Sequence, residues 1–247
     1  MSIAIVALAT FVIFATHFLG AIAAYGSTLL ALPLLVFVVD DLPLSVLALV
    51  VIGAAQSYQV LWYTWRDVGW RVFGRMLAVA GAGLPIGFVA LRVLPERPLM
   101  IFLGTILLAS GVSRLAMRNG DGAWKPPRLA LDALLFVGGV IHGAFASGGA
   151  TVVVYAQYVF GSKETFRATL CAFWTVLNTV VIAATVAREP ITREAWILIG
   201  AAGPLSLLAN WLGNRCALRM SQDKFMRFVA ALLALAGCVT IFRAVCA

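Results

Sequence analysis

Residues Leu129 to Phe160 read LALDALLFVGGVIHGAFASGGATVVVYAQYVF. An apolar limb running to Ala146 meets Ser147-Gly148-Gly149, and a second apolar limb continues from Ala150 to Phe160. Crossing a hydrocarbon core of about 30 Å takes ~20 helical residues, so neither limb spans comfortably by itself. Two consecutive glycines break a helix and leave backbone N–H and C=O groups without intrahelical partners. At membrane depth such a break survives only where protein or a wet cavity surrounds it. The stretch therefore reads as a re-entrant helix–break–helix hairpin. The N-terminus of its returning limb offers free amides and a positive dipole end, which favour an anion.

The rest of the chain sets this hairpin in a membrane. Of 247 residues, 63% are hydrophobic and 11% charged, and the mean hydropathy is +1.02. That composition excludes a soluble globular protein and leaves no room for a soluble domain once the spans are counted. The net charge of +8 sits in short loops, the topogenic pattern of a membrane protein rather than a nucleic-acid stripe. Cys171, Cys216, Cys238 and Cys246 show neither CxxC nor metal-ligand spacing, and Cys171 and Cys238 read as apolar packers within spans. No metal or other cofactor is expected. The N-terminal apolar run exceeds a signal-peptide core and reads as a retained span.

The first apolar block, Ile3 to Val39, is also interrupted, at Tyr25-Gly26-Ser27, and Asp40-Asp41-Leu42-Pro43 closes it. Spans are expected at 44–65, 76–94 and 99–117, with a basic loop at 66–75. The Gly- and Pro-bearing segment 118–128 is the only linker-like stretch. After it the plan repeats: the broken block, then spans at about 165–187, 195–212 and 225–245, with a basic loop at 214–224. Residues 20–28 align with 143–151, and Gly83-Leu84 with Gly203-Pro204. The organisation is thus a first transmembrane repeat (1–117), a cytoplasmic linker (118–128) and a second repeat (129–247). Each repeat holds a re-entrant hairpin and three transmembrane helices.

Counting sides supports that plan. If each broken block returns to its starting side, three further crossings per half turn the second repeat upside down relative to the first. With the 66–75 loop in the cytoplasm, thirteen of the eighteen Lys and Arg fall inside, among them Arg71, Lys125, Lys163 and Lys224. This is the expected positive-inside bias, and it puts both termini in the periplasm. Treating each block as one crossing scatters the basic loops over both faces.

Inverted repeats with broken helices place substrate where the two tips meet, near the midplane. The candidates are Gly26, Ser27 and Thr28 at the first tip and Ser147, Gly148, Gly149 and Thr151 at the second. Gln56 and Asn178 lie at similar depth, about a dozen residues into the span after each hairpin. A bland reading exists for each: small residues allow close helix packing, and a buried amide is interhelical glue. Arg167 either snorkels to the interface or draws anions into a cytoplasmic vestibule. His17 and His142 serve as packing residues or proton carriers. No carboxylate falls clearly at mid-span, although Asp132 lies near the cytoplasmic start of its limb.

The segment Gly143-Ala144-Phe145-Ala146-Ser147-Gly148-Gly149, with Tyr155, then Phe166-Arg167-Ala168-Thr169-Leu170 and Asn178, resembles the second repeat of the sulfite exporter TauE/SafE family. The first repeat resembles it less, having Tyr25-Gly26-Ser27 where the family often carries several glycines. The resemblance implies a bacterial inner-membrane exporter of a small sulfur-containing anion, such as sulfite or an organosulfonate. It adds Tyr155 to the site and favours Asn178 and Arg167.

The expectation is therefore an all-α polytopic membrane protein of two inverted repeats that carries an anion by alternating access. Its partners are the small anion and the lipid bilayer, with a homodimer left open and nucleic acid excluded. Rival readings are a non-transporting membrane subunit, an intramembrane enzyme and a sulfide or thiosulfate carrier using Cys171. The enzyme lacks a nucleophile–base pair or metal cluster at depth.

Overall fold

The computed structural model describes residues 1–24, 27–90, 96–116, 126–145, 149–188 and 190–246, with helices and no strand among them. In chain order the helices are α1 (Ile3–Ala23), α2 (Ser27–Val39), α3 (Leu42–Thr64), α4 (Trp70–Ala90) and α5 (Glu96–Ala116). They continue with α6 (Arg128–Phe145), α7 (Gly149–Val159), α8 (Lys163–Val186), α9 (Arg193–Arg219) and α10 (Gln222–Cys246). Six of these helices are long and apolar enough to cross a membrane, lying at Ile3–Ala23, Pro43–Asp67, Trp70–Val89, Lys163–Val186, Arg193–Arg219 and Gln222–Phe242. The protein is an all-helical, multi-pass membrane protein. The first break falls where the sequence places it, between Ala23 and Ser27, whereas the second expected break, at Ser147-Gly148, lies outside the described residues between the end of α6 and the start of α7. With 13 and 11 residues, α2 and α7 reach about 20 and 16 Å at 1.5 Å per residue, short of a bilayer core.

Side chains in the short loops fix the helix ends. Ser2 accepts from the Ile5 N–H at 3.3 Å, Asp41 from Leu44 at 2.9 Å, and Thr192 from Ala195 at 3.3 Å, each satisfying an orphan donor of a first turn. Asp40 takes the left-handed region (φ 55°) and its N–H returns to Val36 O at 2.8 Å, so α2 stops where α3 begins. The expected basic loop 214–224 is corrected: α9 runs on to Arg219 and only Met220 and Ser221 separate it from α10. Arginine is a good helix former, Arg215 lies over the Trp211 ring at 3.8 Å, and Ala217 is fully buried. Likewise Arg71 and Arg75 belong to α4 rather than to a loop.

The helices fall into two compact units, Met1–Gly69 with Arg167–Arg219, and Trp70–Phe166 with Met220–Ala247. Each unit draws helices from both halves of the chain. In the first, one apolar cluster joins Ala9 and Ile13 of α1, Ala31, Leu32 and Leu35 of α2, Leu44 to Ile52 of α3, and Ala195, Leu198 and Ala202 of α9. A continuous helix would hold Ile13 and Leu35 about 33 Å apart; sharing one cluster requires α2 to fold back on α1. The early residues of α3 and α9 lie in that cluster, and further along Gln56 meets Ser206 and Gln59 meets Asn210. Helices α3 and α9 are therefore parallel. So are α1 and α9, because Gly213 late in α9 presses on Phe18 and Ala21 late in α1.

In the second unit α4 and α6 run parallel, with Arg75 opposite Asp132, Ala80 opposite Gly139 and Leu84 opposite Gly143. Helices α5 and α10 run antiparallel, with Gly104 against Ile241 and Gly111 against Ala234. Lipid supplies no hydrophobic drive between helices, so such seams rest on close van der Waals approach at small residues. A Cβ at Gly139 would stand 1.9 Å from the Ala80 carbonyl oxygen. Only glycine fits there.

Candidate functional site

The first tip belongs to the first unit. Helix α1 ends in Ala24, which takes the left-handed conformation (φ 62°) and bonds through its N–H to Gly20 O. A Cβ on Gly20 would come within 2.6 Å of Ser27 Cβ, so glycine lets α2 start directly against α1. The exposed carbonyls at the end of α1 are taken up by α8. Arg167 donates to Ala21 O at 2.8 Å, to Ile22 O, and to Asn214 Oδ1 at 2.6 Å, while Trp174 Nε1 donates to Ala24 O at 3.1 Å. Arg167 is only 4% exposed. Rather than snorkelling, it turns onto a helix C-terminus, where a cation complements the dipole. Cys171 lies alongside in an apolar group with Ala24 and Val60.

Beyond this capped end, α2 opens with Ser27 and Thr28, both half-buried. A Cβ built on Gly53 of α3 would lie 3.5 Å from Asn178 Nδ2 and 3.9 Å from Thr28 Oγ1. Gly53 thus leaves room for about one methyl group, with a hydroxyl on one side and an amide on the other. Asn178 is buried, only 9% exposed.

Gln56, by contrast, is engaged: its Nε2 donates to Ser206 O at 2.7 Å, and Asn210 donates to Gln56 O at 3.2 Å and to Gln59 Oε1 at 2.7 Å. Those bonds form a polar seam between α3 and α9. His17 sits fully buried on α1, its Nδ1–H donating to Ile13 O at 2.8 Å; His142, also buried, lies on α6 of the other unit.

The second tip lies in the second unit. Gly149 opens α7 half-buried, Thr151 is fully buried and Tyr155 is 4% exposed. Gln157, two residues on, is buried with its Nε2 unpaired among the described residues. Gly26, Ser147 and Gly148 lie outside the described residues. The structure thus brings Thr28 and Asn178 together in one unit, while Gly149, Thr151 and Tyr155 follow one another on α7. Sequence reasoning missed Gly53, Asn214 and Trp174. Gly53 had a signal, a lone glycine one turn before the mid-span Gln56; the other two act across long sequence separations.

The family model of the sulfite exporter TauE/SafE matches residues 8–240. The chain belongs to this family. No curated protein and no solved structure matches it. Sulfite exporter TauE/SafE membership makes this a membrane transport protein.

Proposed function

We propose that this TauE/SafE member is a secondary transporter of the bacterial inner membrane that exports a small sulfur oxyanion, sulfite or an organosulfonate, by alternating access. The observation that carries this reading is the approach of Thr28 and Asn178 to Gly53 at the start of α2. Helix N-terminal amides, a hydroxyl and a side-chain amide N–H in a low-dielectric surround are the donors that a desolvated oxyanion needs. Gly149, Thr151 and Tyr155 supply the corresponding start of α7.

The helix directions support re-entrant hairpins and inverted repeats. Five helices separate α3 from α9, and if each reverses direction the two are parallel, as found. A single straight crossing by α6 and α7 would make them antiparallel. The packing also favours the repeat: α1 on α9 corresponds to α6 on α4, and α5 on α10 corresponds to itself. On this reading both termini are periplasmic.

The test is flux of labelled sulfite, with sulfate and chloride as competitors, in proteoliposomes of wild type and Asn178→Ala. The expected result is wild-type flux that the variant slows at subsaturating sulfite. A correctly inserted wild-type protein that moves no sulfur oxyanion, but stabilises a co-purified partner, would establish the subunit reading instead.

A further inference from the structure

In the second unit, outside both tips, Arg75 of α4 grips Asp132 of α6 through two parallel bonds, Nε to Oδ1 at 3.0 Å and Nη2 to Oδ2 at 2.5 Å. The arginine side chain is 47% exposed and the aspartate 25%. The Tyr155 phenol of α7, itself buried, is close enough to feel both charges. Along α7, Tyr155 is followed inward by Thr151 and Gly149, about 6 and 9 Å nearer the break at 1.5 Å per residue. The ion pair therefore stands at the far end of α6 from the tip, with the phenol between.

As a clamp the pair is redundant. Helices α4 and α6 already interlock backbone to backbone at Gly139 with Ala80 and Gly143 with Leu84, and a pair this exposed contributes little to stability. As chemistry it is specific. The guanidinium fork matches two oxygens of a carboxylate, and by the same geometry two oxygens of a sulfite or sulfonate.

We propose that Arg75 is a capture site for the transported oxyanion and that Asp132 is its internal competitor, a carboxylate occupying the fork until a substrate oxyanion displaces it. This rests on the transport reading above and names a second contact for the same anion. Displacement needs no helix separation, because only the Asp132 side chain has to swing aside. Tyr155 then offers its hydroxyl to an anion leaving the fork toward Thr151. The competition also sets selectivity: an anion with a single oxygen or a spherical halide engages one arm of the fork and does not displace a bidentate carboxylate.

Calorimetric titration of the detergent-purified protein with sulfite, and separately with chloride, tests this in wild type, Asp132→Asn, Arg75→Gln and the double variant, with thermal unfolding of each as the fold control. Asp132→Asn is expected to bind sulfite roughly three- to tenfold tighter than wild type, and Arg75→Gln roughly tenfold weaker. The double variant should match Arg75→Gln, and chloride binding should change little. Arg75→Lys, which keeps the charge and loses the fork, should fall near Arg75→Gln. A structural clamp predicts that removing either partner weakens binding and stability in the same direction. That result, or equal sulfite binding by wild type and Asp132→Asn, overturns the proposal. Wild-type flux bears on the transport reading alone, and the order of binding among the variants decides this one.

Discussion

Arg167 donates to the carbonyl oxygen of Ala21 at 2.8 Å, across 146 positions of sequence. A motif arginine on α8 thus finishes a helix that began the chain. Its bonds at the end of α1 hold the geometry from which α2 departs.

Removing that cap should therefore unfold the first hairpin before it alters substrate chemistry. A buried hydrogen bond to a charged group contributes about 1.5–3 kcal/mol, so Arg167→Gln should lower stability by on the order of 2 kcal/mol. Arg167→Lys should recover part of it. Thermal unfolding in detergent is the measurement, and an unchanged midpoint for Arg167→Gln would remove the cap from the account.

The close approach of Thr28 and Asn178 to Gly53 predicts a graded series. Gly53→Ala places its Cβ in ordinary contact with Asn178 and Thr28, so the protein should fold while sulfite binding weakens. Gly53→Val should abolish binding. Asn178→Ala should cost about 1–3 kcal/mol in affinity if its amide pairs with a charged ligand. Wild-type affinity in Gly53→Val would show that the anion binds elsewhere.

Two glycines of the second unit separate close packing from helix propensity. Gly139→Ala drives a methyl into the Ala80 carbonyl, an overpacking that costs about 2 kcal/mol. Gly81→Ala, with nothing within 4 Å of its Cβ, should be neutral or gain up to about 1 kcal/mol. Equal unfolding midpoints for the two variants would contradict the backbone contact.

Ala24 holds a left-handed conformation that costs a non-glycine residue roughly 1–2 kcal/mol. Ala24→Gly should raise the unfolding midpoint, provided the loss of a small buried methyl does not offset the relief. A fall in the midpoint beyond that of Ala23→Gly would argue against the strain.

Topology is checked separately. Reporter fusions at Ala247 should signal from the periplasm and at Gly122 from the cytoplasm. A cytoplasmic signal from Ala247 would mean that one broken block is a full crossing.

What was legible in the sequence was local. The apolar limbs around Tyr25-Gly26-Ser27 announced the first break, because a glycine and limb length act without reference to the rest of the chain. Asp40 to Pro43 gave the α2–α3 turn for the same reason. Distant partners stayed hidden. Asn178 read as a companion of the second tip, yet it stands beside Thr28, since α8 packs with the first hairpin. Arg215 and Arg219 read as loop because their charges suit an interface, while stacking on Trp211 and the buried Ala217 extend the helix.

The interleaving of the two units also has a consequence for biosynthesis. Helix α1 emerges first from the ribosome, yet α9, the partner on which it packs, ends at Arg219, and α4 likewise waits for α6. The nascent chain must keep its first hairpin parked in the bilayer, carbonyls at Ala21 and Ile22 uncapped until Arg167 of α8 follows and α1 unpacked until α9 follows in turn. A stalled or truncated product is then not a smaller transporter but an insertion intermediate with open polar backbone, the kind of species that membrane quality-control proteases recognise.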